Sequence, residues 1–203
     1  MGQAVSHTII QRLPVYLDRV LEFQEAGALL VSSAQLAARC GVSSARVRDD
    51  LGSVGLLARQ RRGYAVPELA EGLRRVLGMR TGLRVMVLGG EGLGQALAES
   101  SLFSRCGMTL TAVLPPPYTL AQLTAQRAQL AVLSAPGAAT AETLALLSES
   151  GVTGVWNLTG RELSPVLPPR LRVENFHLAD SLLCLAGRLT DRLVSLENRA
   201  LIE

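Results

Sequence analysis

The 203-residue sequence predicts an α/β protein with a helical first part and a parallel β-sheet in its second part. Up to residue 78, apolar residues recur at helical spacing, and serines stand where helices would begin. From residue 83, short apolar runs alternate with helical patterns, which is typical of parallel β-α-β units. The length is sufficient for two small domains, each with its own core.

Three helices are predicted at the start of the first part. The first spans about residues 8–26, and Pro14 predicts either an early kink or a late start. The second follows a cap at Ser32 and ends at Gly41, as a C-cap glycine would end it. The third follows a cap at Ser43 and ends before glycine 55.

A basic segment with Arg59, Arg61 and Arg62 comes next and is predicted as a turn between short extended segments. Pro67 begins a further helix. Two helices joined by a glycine turn and followed by a basic hairpin indicate a winged helix-turn-helix, whose second helix enters the major groove of DNA. We therefore predict a DNA-binding domain over residues 1–78.

Arginines are the candidate DNA contacts. Arg46 and Arg48 lie near the start of the third helix, within reach of base edges and phosphates. The wing arginines Arg59, Arg61 and Arg62 are predicted to contact phosphates or the minor groove. The alternative is that all five form an ordinary solvated face. The order of helix, turn, helix and basic wing favours double-stranded operator DNA as the partner.

Two acids on the third helix, Asp49 and Asp50, argue against this interpretation, because a carboxylate facing phosphate repels it. Pairing with an arginine inside the domain would explain Asp50. The sequence suggests no such partner for Asp49.

The second part is predicted as a Rossmann-like domain over residues 83–176. Predicted strands cover residues 83–88, 108–114, 130–133 and 152–158, and predicted helices cover residues 93–103 and 141–149. A final amphipathic helix over residues 177–203 carries leucines at spacings of three and four, among them Leu182, Leu185 and Leu189. This leucine stripe must dock on another surface, and a second copy of the chain is the predicted partner.

A glycine-rich turn follows the first predicted strand of this domain and opens a helix, as a dinucleotide-binding fingerprint requires. The first, third and sixth fingerprint places fall on Gly89, Glu91 and Gly94. Glu91 brings a carboxylate to the place where the backbone must approach a pyrophosphate. The acid that would bind ribose hydroxyls is missing, since the next strand ends in Pro115.

The sequence resembles the Rex family of bacterial redox-sensing repressors along most of its length. The resemblance rests on five segments, which are RLPVY from Arg12, VSSAQL from Val31, RRGY from Arg61, GQAL from Gly94 and GVTGVWN from Gly151. It implies a homodimer that binds operator DNA, with a C-terminal helix swapped between protomers. It also implies that NADH loosens the grip on DNA and that NAD⁺ permits binding.

The same resemblance shows departures. A tyrosine of the family's redox switch aligns with Ser100, and the aspartate that pairs with the family's N-terminal arginine aligns with His177. Arg12 is thus expected to lack its anionic partner. Together with Glu91 and Pro115, these changes predict a diverged Rex-like repressor with NAD(H) sensing impaired or lost.

Alternatives remain open at this point. Gly92 could permit a shifted turn that still binds the nucleotide, so the protein could be a repressor that responds to NADH or NAD⁺. A cysteine-based redox regulator could use Cys40, Cys106 or Cys184, although cysteines are most often simply buried. No catalytic constellation or metal-ligand spacing is present, so an enzyme is not predicted. Three scattered cysteines favour a reducing cytoplasm, and no transmembrane stretch is evident.

Overall fold

The computed structural model describes residues 6–58, 63–163 and 167–200, of which residues 191–200 are described by their backbone. Contacts divide the chain into two compact units, Met1–Gly82 and Leu83–Glu203. The predicted α/β class is confirmed, with helices in both units and a parallel sheet in the second.

The first unit contains a helical core and a short ribbon. Its helices are α1 His7–Glu25, α2 Ser33–Cys40, α3 Ser44–Ser53 and α4 Val66–Val76. Strand β1 Leu30–Val31 pairs antiparallel with β2 Tyr64–Ala65. The two strands of this ribbon therefore flank α2 and α3 in the chain.

Local chemistry sets the helix ends where the sequence predicts them. The Ser32 side chain accepts a hydrogen bond from the backbone N–H of Gln35, and the Gln35 side chain accepts one from the backbone N–H of Ser32. These two bonds form a capping box for α2. Gly41 ends α2 in the left-handed conformation. Ser43 caps α3 by accepting from the backbone N–H of Arg46 at 3.1 Å.

Helix α1 begins at His7 and continues through Pro14, so the late start is not what the structure has. Proline removes one backbone donor from the helix. Burial of one face opposes that cost, because Leu13, Tyr16 and Val20 are each at most 1% exposed. They pack in the core of the first unit, to which α2, α3 and α4 contribute their own apolar faces.

The second unit is built on a five-stranded parallel sheet with strand order β4-β3-β5-β6-β7. The strands are β3 Arg84–Leu88, β4 Thr109–Leu114, β5 Leu130–Leu133, β6 Gly154–Asn157 and β7 Arg172–Asn175. Because β3 lies between β4 and β5, the order reverses at β3. A ligand-binding crevice of an open α/β sheet forms at the carboxyl ends of the strands beside such a reversal.

The helices of the second unit differ in part from the prediction. They are α5 Leu93–Glu99, α6 Leu102–Arg105, α7 Leu120–Gln126, α8 Ala141–Glu149 and α9 Leu178–Ala200, with a 3-10 turn at Pro136–Ala138. The single helix predicted over residues 93–103 is wrong. Ser100 ends α5 in an extended conformation, and its hydroxyl donates to the Leu97 carbonyl at 2.6 Å. Strand β7 and helix α7 were not predicted.

Helix α9 presents leucines to solvent. Leu182, Leu185 and Leu189 are 65%, 47% and 54% exposed. A long helix with a solvent-facing leucine stripe has apolar surface that this protomer does not cover.

Candidate DNA-binding surface and glycine-rich cleft

Helices α2 and α3 pack against each other and present two of the predicted arginines to solvent. Arg46 and Arg48 are both exposed on α3. The Nη1 atom of Arg48 donates to the hydroxyl of Ser33, the first residue of α2, at 3.2 Å. The guanidinium of Arg48 is therefore held beside the start of α2, where backbone N–H groups also favour anions.

The wing is described only in part. Arg59, Arg61 and Arg62 lie outside the described residues. The strand that follows them, β2, pairs with β1. Tyr64 in β2 is buried in the core of the first unit, which fixes the end of the wing.

Asp50 has the internal partner that the sequence suggested. Arg12 donates to both of its carboxylate oxygens, from Nε and Nη2, each at 2.7 Å. The Tyr16 hydroxyl donates to Oδ2 at 2.7 Å. The expectation that Arg12 lacks an anionic partner is thus wrong. The packing of α1 against α3 brings Arg12 to Asp50, 38 residues away in the sequence. The family resemblance had placed the partner of Arg12 at residue 177 instead.

The three side chains change each other's acidity. Burial alone would raise the pKa of Asp50, but hydrogen bonds from Arg12 and Tyr16 outweigh it and lower that pKa. The hydrogen bond to Asp50 raises the pKa of Arg12. Burial, followed by the hydrogen bond to Asp50, raises the pKa of Tyr16. Asp50 is therefore an ionised carboxylate facing inward, and its charge does not oppose phosphate from the surface of α3.

The glycine-rich turn closes one end of a cleft of about 340 Å³ at the carboxyl ends of β3, β4 and β5. Gly89 has φ +138°, and a Cβ there would lie 2.3 Å from the Ser134 hydroxyl oxygen. A Cβ at Gly94 would lie 2.5 Å from the same oxygen. The first and last fingerprint glycines are therefore required by close packing against the end of β5.

The remaining lining is poor in groups that bind anions. It comprises Gly89, Glu91, Pro115, Pro116, Tyr118, Ala135, Gly137 and Ala138, so the described lining carries an acid and no basic side chain. Glu91 is exposed at the cleft. The Tyr118 hydroxyl is buried without a hydrogen-bond partner among the described residues, and burial raises its pKa. Sequence patterns did not point to Tyr118 or Ser134, because neither belongs to the glycine motif.

The two other predicted switch residues, Ser100 and His177, make separate contacts. Ser100 is exposed and serves to end α5. His177 has its Nε2 3.9 Å from a carboxylate oxygen of Glu162, which sequence spacing did not reveal. That carboxylate also accepts from the Asn175 side chain. The structure thus places His177 in a polar cluster after β7.

The cysteines do not form a site. All three are free thiols; Cys40 and Cys106 are half-buried, and Cys184 is exposed on α9. Burial raises the pKa of Cys40, which keeps this thiol protonated and weakens it as a nucleophile. Within the described residues, three or more potential metal ligands do not cluster, and none of the helices is long and apolar enough to cross a membrane.

Sequence comparisons relate the chain to known repressors. Residues 4–52 match the family described as "Putative DNA-binding protein N-terminus". Two curated proteins named redox-sensing transcriptional repressor Rex, from Caldicellulosiruptor bescii and Clostridium botulinum, are 29% and 27% identical to it. These matches cover 95% and 89% of this chain and 96% and 93% of the two proteins.

The fold is similar to solved structures of RSP, described as a Rex-family repressor. RSP in complex with β-NAD⁺ and operator DNA matches with a TM-score of 0.83 at 24% identity, over 98% of both chains. RSP in complex with β-NADH matches with a TM-score of 0.81, over 96% of this chain and 98% of that chain. Along nearly its whole length, the chain is therefore similar in sequence to redox-sensing repressors named Rex and similar in fold to RSP.

Proposed function

We propose that this chain is a transcriptional repressor that binds double-stranded operator DNA through α3. The main support for this proposal is the exposed face of α3, the second helix of the helix-turn-helix, which has Arg46 and Arg48 near its start. Arginine suits this role because its planar fork binds guanine edges and phosphates. Relatives named as Rex repressors, and RSP bound to operator DNA, support the same function.

The repressor acts as a homodimer in this proposal. Leu182, Leu185 and Leu189 expose a continuous apolar stripe on α9, and a second protomer would remove it from water. A swapped α9 would also explain why its leucines find no cover in their own protomer. Two copies of α3 could then occupy successive major grooves of one operator.

NAD(H) binds weakly or not at all in this proposal. Glu91 places a carboxylate at the cleft where a pyrophosphate would have to lie, and the described lining offers no basic group to offset it. Pro115 stands where an acid would hold ribose hydroxyls. Unit charges about 4 Å apart at an effective dielectric of about 20 repel by about 4 kcal/mol. The chemistry of the lining therefore does not fit a dinucleotide.

A second candidate, an NAD(H)-responsive repressor, has one observation in its favour. Gly89 and Gly94 keep the close packing of a dinucleotide turn, and Gly92, with φ +59°, has open space around it. A rearranged turn could therefore move Glu91 away from the phosphates. RSP itself has been solved with β-NADH and with β-NAD⁺.

One titration separates these candidates. The full chain is bound to a duplex selected from a random library, and NADH or NAD⁺ is added while binding is followed by fluorescence anisotropy. The proposal predicts an affinity that neither nucleotide changes. Release of DNA by NADH, with no release by NAD⁺, would favour the responsive repressor instead. Absence of any selected duplex would contradict the DNA-binding function itself.

A further inference from the structure

The outward face of α3 carries an acid at its centre. Val47, Asp50 and Leu51 form the buried side of the helix. Ala45 and Asp49 are four residues apart and both are exposed, on the side that faces away from the core. Asp49 makes no ion pair or hydrogen bond with any described side chain.

Small residues lie one turn before and one turn after Asp49 on this face. Ala45 lies one turn before it, and Gly52 lies one turn after it. A Cβ built at Gly52 would meet no atom of the described residues within 4 Å, so none of them packs against Gly52 on this face. An aspartate side chain is short and reaches a base edge only when the helix backbone comes close to the groove. Small residues on both sides permit that approach.

The flanking residues are basic. Arg46 and Arg48 lie on either side of this central face, and both are exposed. The basic groups can contact the phosphates on the two walls of a groove while Asp49 points to its floor. A lone carboxylate at the centre lowers the affinity for DNA in general, and only a sequence that offers it a donor recovers the loss.

We propose that Asp49 reads a cytosine in the major groove by accepting a hydrogen bond from the N4 amino group. This inference rests on the proposed DNA-binding function. An ionised carboxylate only accepts hydrogen bonds. Guanine presents two acceptors in the major groove, thymine an acceptor and a methyl group, and adenine an acceptor beside its amino group. Cytosine presents only the amino donor, so it is the base that matches Asp49.

The first test is selection of bound duplexes from a random library by the full chain, by Asp49→Ala and by Asp18→Asn. Asp18 is an exposed acid on α1 and controls for the loss of charge. Wild type and Asp18→Asn are expected to enrich one sequence with a cytosine at a fixed position. Asp49→Ala should lose that preference by about tenfold, or about 1.4 kcal/mol, and keep the others.

The second test changes one atom group of the DNA. N4-methylcytosine at the selected position blocks the amino hydrogen that faces the groove. It should weaken wild type by about tenfold, or about 1.4 kcal/mol, and leave Asp49→Ala unchanged. An equal effect on both proteins, or the same enriched sequence for both, would overturn the role of Asp49 alone. A wild type that enriches no sequence would overturn the DNA-binding proposal as well.

Discussion

Arg12 and Asp50 form a bidentate salt bridge that joins α1 to α3, with both nitrogen–oxygen distances at 2.7 Å. Asp50 is 2% exposed and Arg12 is 25% exposed, so the carboxylate is sealed while the guanidinium reaches the surface. Tyr16, also on α1, supplies a third hydrogen bond to the same carboxylate. Asp50 thus ties α3 to α1 by polar contacts, in addition to the apolar packing of Val47 and Leu51 in the core.

Replacing Asp50 with asparagine is expected to lower the free energy of unfolding by about 2–4 kcal/mol, because Arg12 and Tyr16 keep hydrogen-bonding groups without a charged acceptor. Urea unfolding of the full chain, followed by circular dichroism, measures the change. The exposed Asp18→Asn is the matched control and should change stability by less than about 0.5 kcal/mol. Equal unfolding midpoints for all three proteins would show that the salt bridge adds nothing to stability.

Acid should remove the same contribution. Because the folded state lowers the pKa of Asp50, its contribution to stability is fully present above the unfolded value of about 3.9 and is lost as pH falls through the folded value. The stability of wild type should therefore fall more steeply with decreasing pH below about 4 than that of Asp50→Asn. Urea titrations at pH values from neutral to acid measure both slopes, and parallel curves would contradict this prediction.

Removing both α3 arginines should weaken DNA binding. Arg46→Ala with Arg48→Ala is expected to lower the affinity for the selected duplex by at least about tenfold and to reduce the salt slope by about one for each lost phosphate contact. Anisotropy titrations at several salt concentrations give both quantities. Arg105→Ala, an exposed arginine on α6, is the control and should bind like wild type. Unchanged affinity and slope in the double variant would move the DNA contact away from α3.

Calorimetry tests the cleft directly. NADH is expected to bind wild type with a dissociation constant well above the micromolar range. Glu91→Gly with Pro115→Asp should gain at least about tenfold in affinity, since it removes a repulsive charge and restores an acceptor for ribose hydroxyls. Glu149→Gln, which removes an exposed acid at the end of α8, should gain nothing. Micromolar or tighter binding of NADH by wild type would refute the proposed loss.

The leucine stripe of α9 should hold two protomers together. Leu182→Arg with Leu189→Arg places two charges in the apolar stripe and is expected to shift sedimentation from dimer to monomer at micromolar concentration. Asp180→Arg changes charge on the opposite face of α9 and should leave the dimer intact. A wild-type chain that sediments as a monomer would contradict the dimer itself.

Sequence patterns predicted the helices of the first unit closely because their ends are set locally. Ser32, Ser43 and Gly41 each act on backbone groups within four residues, so the sequence contains both partners of each cap. The apolar runs likewise predicted strands β3, β4, β5 and β6. Strand β7 was missed because apolar and polar residues alternate only weakly over Arg172–Asn175. Its extended conformation depends on pairing with β6.

By itself, the sequence determined the α/β class, the helix-turn-helix and the presence of an acid, Glu91, in the glycine turn, because each follows from residues close together in the chain. Only the tertiary structure decided what Arg12 and Asp50 do, since their contact spans 38 residues and requires α1 and α3 to pack. The same holds for Ser134 beneath Gly89 and Gly94, where two strand ends meet. Contacts between distant segments depend on how the elements pack; local patterns indicate which face of an element is buried, but not which distant residue it meets.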